Sequence, residues 1–228
     1  MNILGIGDPH GSLPKDLNEI VKKENIEMII CPGDIPAKPK NASDPMAWVN
    51  FKKKADKSYE DIVKKLCSYN LPVLILRGDM YIKGRGRNFT MNLFKKYKNL
   101  YCKKTAKLKI NGQDFLFFDI NHESHAPRFR SYSKKDEKLN NARSIKINKL
   151  LKRLHNPIVI SHAPPYGFFD KIPTGKNIGS KILLNAIKRY PPKLVLCGHV
   201  HINKGVKKLG KTKIYNLGYK GEYQVIKT

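Results

Sequence analysis

The chain is poor in acidic residues, in cysteine and in long apolar runs, and each shortage excludes a class of protein. No apolar run approaches the roughly 20 residues that a membrane-spanning helix needs. Residues 1–5 lack the basic region and long apolar core of a signal peptide, and they are predicted to begin a strand. We therefore expect a cytoplasmic location and no membrane partner.

Cysteine occurs four times, and no two cysteines form a Cys-x-x-Cys pair. Cys31 and Cys197 lie in apolar, strand-like runs, where a thiol behaves as a small hydrophobic side chain. We therefore expect reduced, buried thiols rather than a disulfide framework or a zinc knuckle.

Acidic residues are scarce relative to basic ones: Asp and Glu number 18 against 45 Lys and Arg, which gives a net charge of +27. Such a charge attracts polyanions over long range and makes a phosphate-bearing substrate or a nucleic acid a candidate partner. A genome composition rich in Lys, Ile and Asn would produce the same excess. Charge alone therefore does not decide between these explanations.

Apolar runs alternate with amphipathic stretches, which indicates an α/β protein, and residues 1–228 are predicted to form a single domain. Helices are predicted over residues 13–23, 46–69, 90–96, 138–154 and 180–189. Strands are predicted over residues 2–7, 27–31, 72–76, 106–110, 115–120, 157–161, 193–197, 206–208, 213–217 and 222–226. The hairpin signal Asn111-Gly112 and the paired runs of the tail favour mixed sheets over one parallel sheet.

Five of the predicted strands are followed by a carboxylate or an imidazole. These side chains are Asp8 and His10, Asp34, Asp79, His162, and His199 and His201. Open α/β sheets bind ligands outside the carboxyl ends of their strands, so residues distant in sequence can converge there. Taken singly, each is typical of an ordinary turn or surface residue. Their shared placement predicts an oxygen-and-nitrogen ligand set for divalent transition metals.

At these positions the chain resembles the calcineurin-like metallophosphoesterase superfamily. That family's pattern is Asp-x-His, Gly-Asp, Gly-Asn-His, a lone His, and Gly-His-x-His. The matching segments are Asp8-Pro9-His10, Gly33-Asp34, Gly78-Asp79-Met80, His162 and Gly198-His199-Val200-His201. The order and spacing agree from residue 2 to about residue 218, and the context around His162 is similar to the small prokaryotic and archaeal phosphoesterases.

The resemblance implies a four-layer α/β/β/α sandwich of two mixed sheets with a two-metal centre. Asp34 would bridge both metals; Asp8, His10 and His201 would complete one site, and Asp79, His162 and His199 the other. Asp34, Asp79 and His162 are also the expected catalytic residues. The implied reaction is hydrolysis of phosphate esters, with phosphodiesters as the expected substrates and a metal-bridging hydroxide as the nucleophile. Manganese is the expected metal, with iron, nickel or zinc as alternatives.

Two departures from the family pattern affect the expected activity. Asp79 stands where the family has Asn, which adds a negative charge and should hold metal more tightly. Met80 stands where the family has a His that assists the leaving group, and methionine cannot donate a proton. We therefore expect a slow enzyme or one that favours good leaving groups, unless another donor substitutes. The candidate donors are Tyr81, His122 and His125.

Arginines near the predicted site are candidates for substrate binding, because a guanidinium binds phosphate oxygens bidentately. They are Arg85, Arg87, Arg128 and Arg130. A solvated basic loop is the alternative explanation for each pair.

Two further functions stay open at this point. The changes at Asp79 and Met80 are compatible with a non-catalytic metal-binding or interaction module on the same fold. The net charge of +27 is compatible with a nuclease that acts on DNA or RNA.

Overall fold

The computed structural model describes residues 1–41, 44–79, 93, 95–119 and 133–228. These residues form two compact units. The first unit comprises Met1–Cys102 and Tyr219–Thr228, and the second comprises residues 103–218. A single domain over residues 1–228 stays a prediction, because two compact units can fold either together or separately.

The strands of the described residues alternate with helices along most of the chain. The strands are β1 (Asn2–Ile6), β2 (Met28–Cys31), β3 (Val73–Ile75), β4 (Leu100–Cys102), β5 (Thr105–Ile110), β6 (Gln113–Phe118), β7 (Ile158–Ser161), β8 (Leu194–Cys197), β9 (Gly205–Leu209), β10 (Thr212–Asn216) and β11 (Tyr223–Lys227). The helices are α1 (Leu17–Lys23), α2 (Pro45–Cys67), α3 (Lys134–Leu151) and α4 (Lys181–Arg189), and a short 3-10 helix covers His201–Asn203.

The first unit is built on a five-stranded sheet with the order β11-β1-β2-β3-β4. Strands β1 to β4 are parallel, and β11 runs antiparallel to β1, so the sheet is mixed. Because β1, β2 and β3 run in the same direction, the loops that follow them leave the sheet at one edge.

Helices α1 and α2 cover one face of the first sheet. Leu17 of α1 and Val63 of α2 pack in one buried cluster with strand residues such as Ile29. The N-terminus of α2 is fixed by Asp44, whose side chain accepts a hydrogen bond from the backbone N–H of Met46 at 2.8 Å. Burial of this apolar face is what holds the helices on the sheet.

The second unit contains a six-stranded sheet with the order β5-β6-β7-β8-β10-β9. Strands β6, β7, β8 and β10 are parallel, whereas β5 and β9 are antiparallel edge strands. The loops that follow the four parallel strands therefore share one edge of this sheet.

Helices α3 and α4 pack on the second sheet. Ile147 of α3 and Leu183 of α4 share a buried cluster with Val159 and Val195 of the central strands. Helix α4 begins after Ser180, whose side chain accepts a hydrogen bond from the backbone N–H of Leu183 at 2.9 Å.

The prediction of an α/β fold with two mixed sheets and flanking helices is confirmed. Helix α1 begins at Leu17 instead of residue 13, because the carbonyl of Pro14 accepts from the N–H of Leu17 in a preceding turn. Helix α3 begins at Lys134 instead of residue 138, because Ser133 and Asp136 form a reciprocal capping box.

Strand β4 was not predicted, and the helix predicted over residues 90–96 falls mostly outside the described residues. In the part of the chain that the structure describes, no helix is both long enough and apolar enough to cross a membrane.

Candidate metal centre

Three predicted ligands of the first unit lie together at the carboxyl edge of its sheet. Asp8 and His10 follow β1, and Asp34 follows β2. Ligand atoms of these three residues all lie within 4.8 Å of one another. The residues are almost completely buried, with exposures of 0% for Asp8, 4% for His10 and 3% for Asp34. Two carboxylates and an imidazole collected in the interior form a donor set that suits a cation.

Backbone hydrogen bonds tie the loops that carry these ligands to each other. The N–H of His10 donates to the carbonyl of Asp34 at 2.9 Å, and the N–H of Gly11 donates to the carbonyl of Ile35 at 3.0 Å. On the other side, the N–H of Lys220 donates to the carbonyl of Asp8 at 3.0 Å. The positions of the ligands are therefore fixed by the main chain as well as by side-chain packing.

The electrostatics of this group are dominated by its carboxylates. His10 Nε2 lies 3.6 Å from Asp34 Oδ2, and the ring of Tyr219 meets the His10 ring edge-on at a centroid distance of 5.4 Å. Burial raises the pKa of the Cys31 thiol well above its ordinary value, and the negative charges of Asp8 and Asp34 raise this pKa further. The Cys31 thiol beside the site is therefore a weaker acid than a thiol in water.

Asp79, the fourth predicted ligand of this unit, lies in the loop after β3 and is half-buried. The preceding Gly78 has a φ of +72° and packs directly on Asp34. The backbone N–H of Asp34 in turn donates to the carbonyl of Arg77 at 3.4 Å. The loops after β2 and β3 are thus held side by side at the same edge of the sheet.

Two histidines of the second unit form a close pair. His162 follows β7 and is completely buried, and His199 follows β8. The Nδ1 atom of His199 lies 3.2 Å from the Nε2 atom of His162. Two imidazole nitrogens at this distance either share one proton or direct both lone pairs at a cation between them. This arrangement also fits a metal-binding role.

The segment that carries His199 and His201 is held by Asn216, at the end of β10. The buried Asn216 side chain donates from Nδ2 to the carbonyl of Val200 at 3.0 Å and accepts at Oδ1 from the N–H of Gly218 at 3.0 Å. His201 is half-buried and begins the 3-10 helix. Sequence reasoning missed Asn216, although a polar residue at a strand end is the signal that identified the ligands.

Three of the predicted ligands have strained backbones. His10, Asp34 and His199 have φ values of +44°, +48° and +69° in the left-handed region, which non-glycine residues rarely adopt. Such strain persists where the surrounding structure enforces it, and it is concentrated at functional sites.

Several residues singled out from the sequence lie outside the described residues. They are Met80, Tyr81, Arg85, Arg87, His122, His125, Arg128 and Arg130. Their predicted roles stay predictions.

The family model for calcineurin-like phosphoesterases matches residues 1–203. The chain belongs to this family. The matched residues include all seven predicted metal ligands and extend through most of both compact units. The resemblance inferred from the sequence is therefore confirmed, and family membership supports phosphoester hydrolysis as the class of activity.

Known proteins are similar to this chain over most of its length. The uncharacterized protein MJ1162 of Methanocaldococcus jannaschii is 25% identical over 226 residues, covering 95% of this chain and 87% of MJ1162. A dimetal phosphatase from Danio rerio has a TM-score of 0.64 at 11% identity, covering 97% of this chain and 88% of that one. The protein TT1561 of Thermus thermophilus has a TM-score of 0.62 at 16% identity, covering 98% of this chain and 97% of that one. At these identities the two solved structures establish the fold alone.

The family is dimetal-dependent, and both units supply side chains that fit such a cofactor. The donors are carboxylate oxygens and imidazole nitrogens, which bind manganese, iron, nickel or zinc. This donor chemistry supports a metal centre without selecting the metal.

Proposed function

We propose that the chain hydrolyses phosphodiesters with the help of two divalent metal ions, with manganese as the expected metal. The observation that supports this most is the burial of Asp8, His10 and Asp34 with their ligand atoms within 4.8 Å of one another. A buried group of this composition is unfavourable without a cation and well suited to hold one. The family match supports the reaction class.

The ligand assignment follows the family pattern. We assign Asp34 to both metals, Asp8, His10 and His201 to one of them, and Asp79, His162 and His199 to the other. When bound, the metals would supply Lewis acidity for water and for the phosphoryl oxygens. The carboxylates would offset the metals' charge, and the imidazoles would bind as neutral donors.

Substrate binding is assigned to Arg85, Arg87, Arg128 and Arg130, because guanidinium groups match the geometry of phosphate oxygens. Support for this assignment comes from their positions in the sequence, beside Asp79 and in the basic connection before α3.

The proposal is tested by the hydrolysis of bis(p-nitrophenyl) phosphate with added manganese. We expect metal-dependent turnover that a chelator abolishes and that His162→Ala lowers by about 10²-fold or more. The matched control is His155→Ala, which removes an exposed histidine from the same unit. Turnover that persists in excess chelator, or that His162→Ala leaves at the level of the control, would refute the proposal.

A nuclease is the second candidate function, and the net charge of +27 is the observation that favours it. We expect such an activity to show salt-dependent retardation of DNA or RNA in a gel-shift assay. Absence of retardation at low salt would remove nucleic acid as a partner.

If two metals bind but no phosphate ester is turned over, the non-catalytic metal-binding module is favoured instead. The cytoplasmic location stays a prediction.

A further inference from the structure

A pocket of about 450 Å³ lies within the second unit, between two loops. One wall is the loop after β7 that includes Phe169 and Lys171, and the other extends from Ile202 to Lys207 at the start of β9. Its volume lies within the range of about 300–1,000 Å³ that is typical of small-molecule sites. The second wall begins at the residue that directly follows His201.

Hydrogen bonds join the two walls of the pocket. The Asn203 side chain donates from Nδ2 to the carbonyls of Phe169 at 3.3 Å and Lys171 at 2.8 Å. Phe169 is buried and has a left-handed φ of +58°. A Cβ atom on Gly205 would lie 3.5 Å from the Phe169 ring, so β9 starts in contact with this ring. The pocket is therefore preformed.

The carboxylate among the lining residues of the pocket is held by the main chain. Asp170 is 2% exposed, and its Oδ2 atom accepts from the N–H of Gly179 at 2.9 Å. A Cβ atom on Gly179 would approach Asp170 to 2.8 Å, so this close contact requires glycine. The Asp170 carboxylate is thus held in place by Gly179 of the same loop.

Positive charge dominates the rim of the pocket. The lining includes three lysines, Lys171, Lys204 and Lys207, and a single carboxylate, that of Asp170. The ammonium group of Lys207 lies 4.9 Å from the centre of the Phe169 ring.

We propose that this pocket binds a phosphate-bearing small molecule with two or more negative charges. Lysine binds phosphate as a point charge, and three lysines match the charge of a pyrophosphate-like group better than that of a single carboxylate. The pocket is compact, which favours a small molecule over a polynucleotide. The ligand could also be the substrate of the metal centre, an inference that rests on the proposed function. In that case the ester that is hydrolysed carries a second phosphate.

The test is isothermal titration calorimetry, at low ionic strength, of inorganic pyrophosphate into the full chain after it has been treated with EDTA and dialysed free of it. EDTA removes metal, so the measurement does not depend on turnover or on a metal centre. The pocket variant is Lys171→Gln with Lys207→Gln. Its matched control is Lys146→Gln with Lys149→Gln, which removes two exposed lysines from α3 in the same unit. Circular dichroism establishes that both variants are folded.

We expect binding of one pyrophosphate per chain, weakened about tenfold or more in the pocket variant and about twofold or less in the control. A charge-reversed variant, Lys171→Glu, is expected to weaken binding at least as much as Lys171→Gln does. Absence of binding by the unaltered chain, or an equal loss in the pocket variant and the control, would overturn the inference. If pyrophosphate binds as expected but no ester is hydrolysed, the pocket stands and the proposed function fails.

Discussion

Gly78 lies so close to Asp34 that a Cβ atom on Gly78 would collide with the carboxylate and the backbone nitrogen of Asp34. The φ of Gly78 is +72°, a value that also favours glycine. The Gly-Asp sequence at positions 78 and 79 therefore has a physical reason: the loop after β3 must pass directly over the predicted bridging ligand.

The first prediction concerns this close approach. Gly78→Ala is expected to displace the Asp34 carboxylate and to weaken manganese binding by about 10- to 100-fold. Gly112→Ala is the matched control, because Gly112 has a φ of +78° and a Cβ atom added there would meet no atom within 4 Å. Both variants should lose about 1–2 kcal/mol of stability from left-handed strain, and Gly78→Ala should lose more because its Cβ atom also collides with the backbone of Asp34. Equal manganese affinities, measured by titration of the two folded variants, would contradict the prediction.

The second prediction concerns Asn216 as a positioning residue. Asn216→Ala removes the hydrogen bonds to Val200 and Gly218, which should cost about 1–3 kcal/mol of stability and loosen the segment that carries His199. Manganese affinity should fall by about 10- to 100-fold.

The control for this variant is Asn99→Ala, in the first unit. The Asn99 side chain also donates two hydrogen bonds, to the carbonyls of Cys67 at 3.1 Å and Leu71 at 2.8 Å. We expect a comparable loss of stability in urea unfolding but unchanged manganese affinity of the folded chain. If Asn216→Ala behaves in the same way, its role is purely structural.

The third prediction concerns stability at high pH. Burial raises the pKa of Cys67 to about 12 from the ordinary value of 9.0. Between these two values the unfolded chain has lost a thiol proton that the folded chain retains, so the free energy of unfolding falls as pH rises. Cys67→Ala should show a shallower decline than the unaltered chain. Both slopes are measured by chemical unfolding from about pH 8 to pH 11, and equal slopes would contradict the prediction.

The fourth prediction concerns Met80, which takes the place of the histidine in the family pattern. Met80→His restores a proton donor and should raise kcat for a diester with a poor alkyl leaving group by up to about 10²-fold. The gain should be much smaller for bis(p-nitrophenyl) phosphate, whose leaving group needs no proton. Met80→Leu controls for loss of the thioether. Equal kcat values for the histidine and leucine variants would show that no donor is missing at this position.

The fold was predictable because its signals are local and repeated. Short apolar runs such as Ile29–Cys31 are typical of buried strands, and Asn111-Gly112 predicts a hairpin that the structure contains. The order of carboxylates and imidazoles after these runs then identified the family. Strand β4 was missed because its three residues, Leu100–Cys102, are too few to show a period.

Some features of the site depend on contacts that no local pattern encodes. The left-handed backbone of His199 has no signal in the local sequence, and the role of Asn216 requires knowing that β10 lies beside β8. The lysine-lined pocket forms from two loops about 35 residues apart in sequence, each of which resembles a solvated basic segment by itself. Sequence reasoning therefore identified the chemistry of the site better than the groups that position it.

We propose that the chain holds two metal ions that share Asp34, and a crystal grown with manganese is the sharpest test of this proposal. We expect two anomalous scattering peaks per chain, about 3.5–4 Å apart, with the Asp34 carboxylate in contact with both. A map with no manganese peak beside Asp8, Asp34 and His199, or with a single peak that Asp34 does not touch, would contradict it.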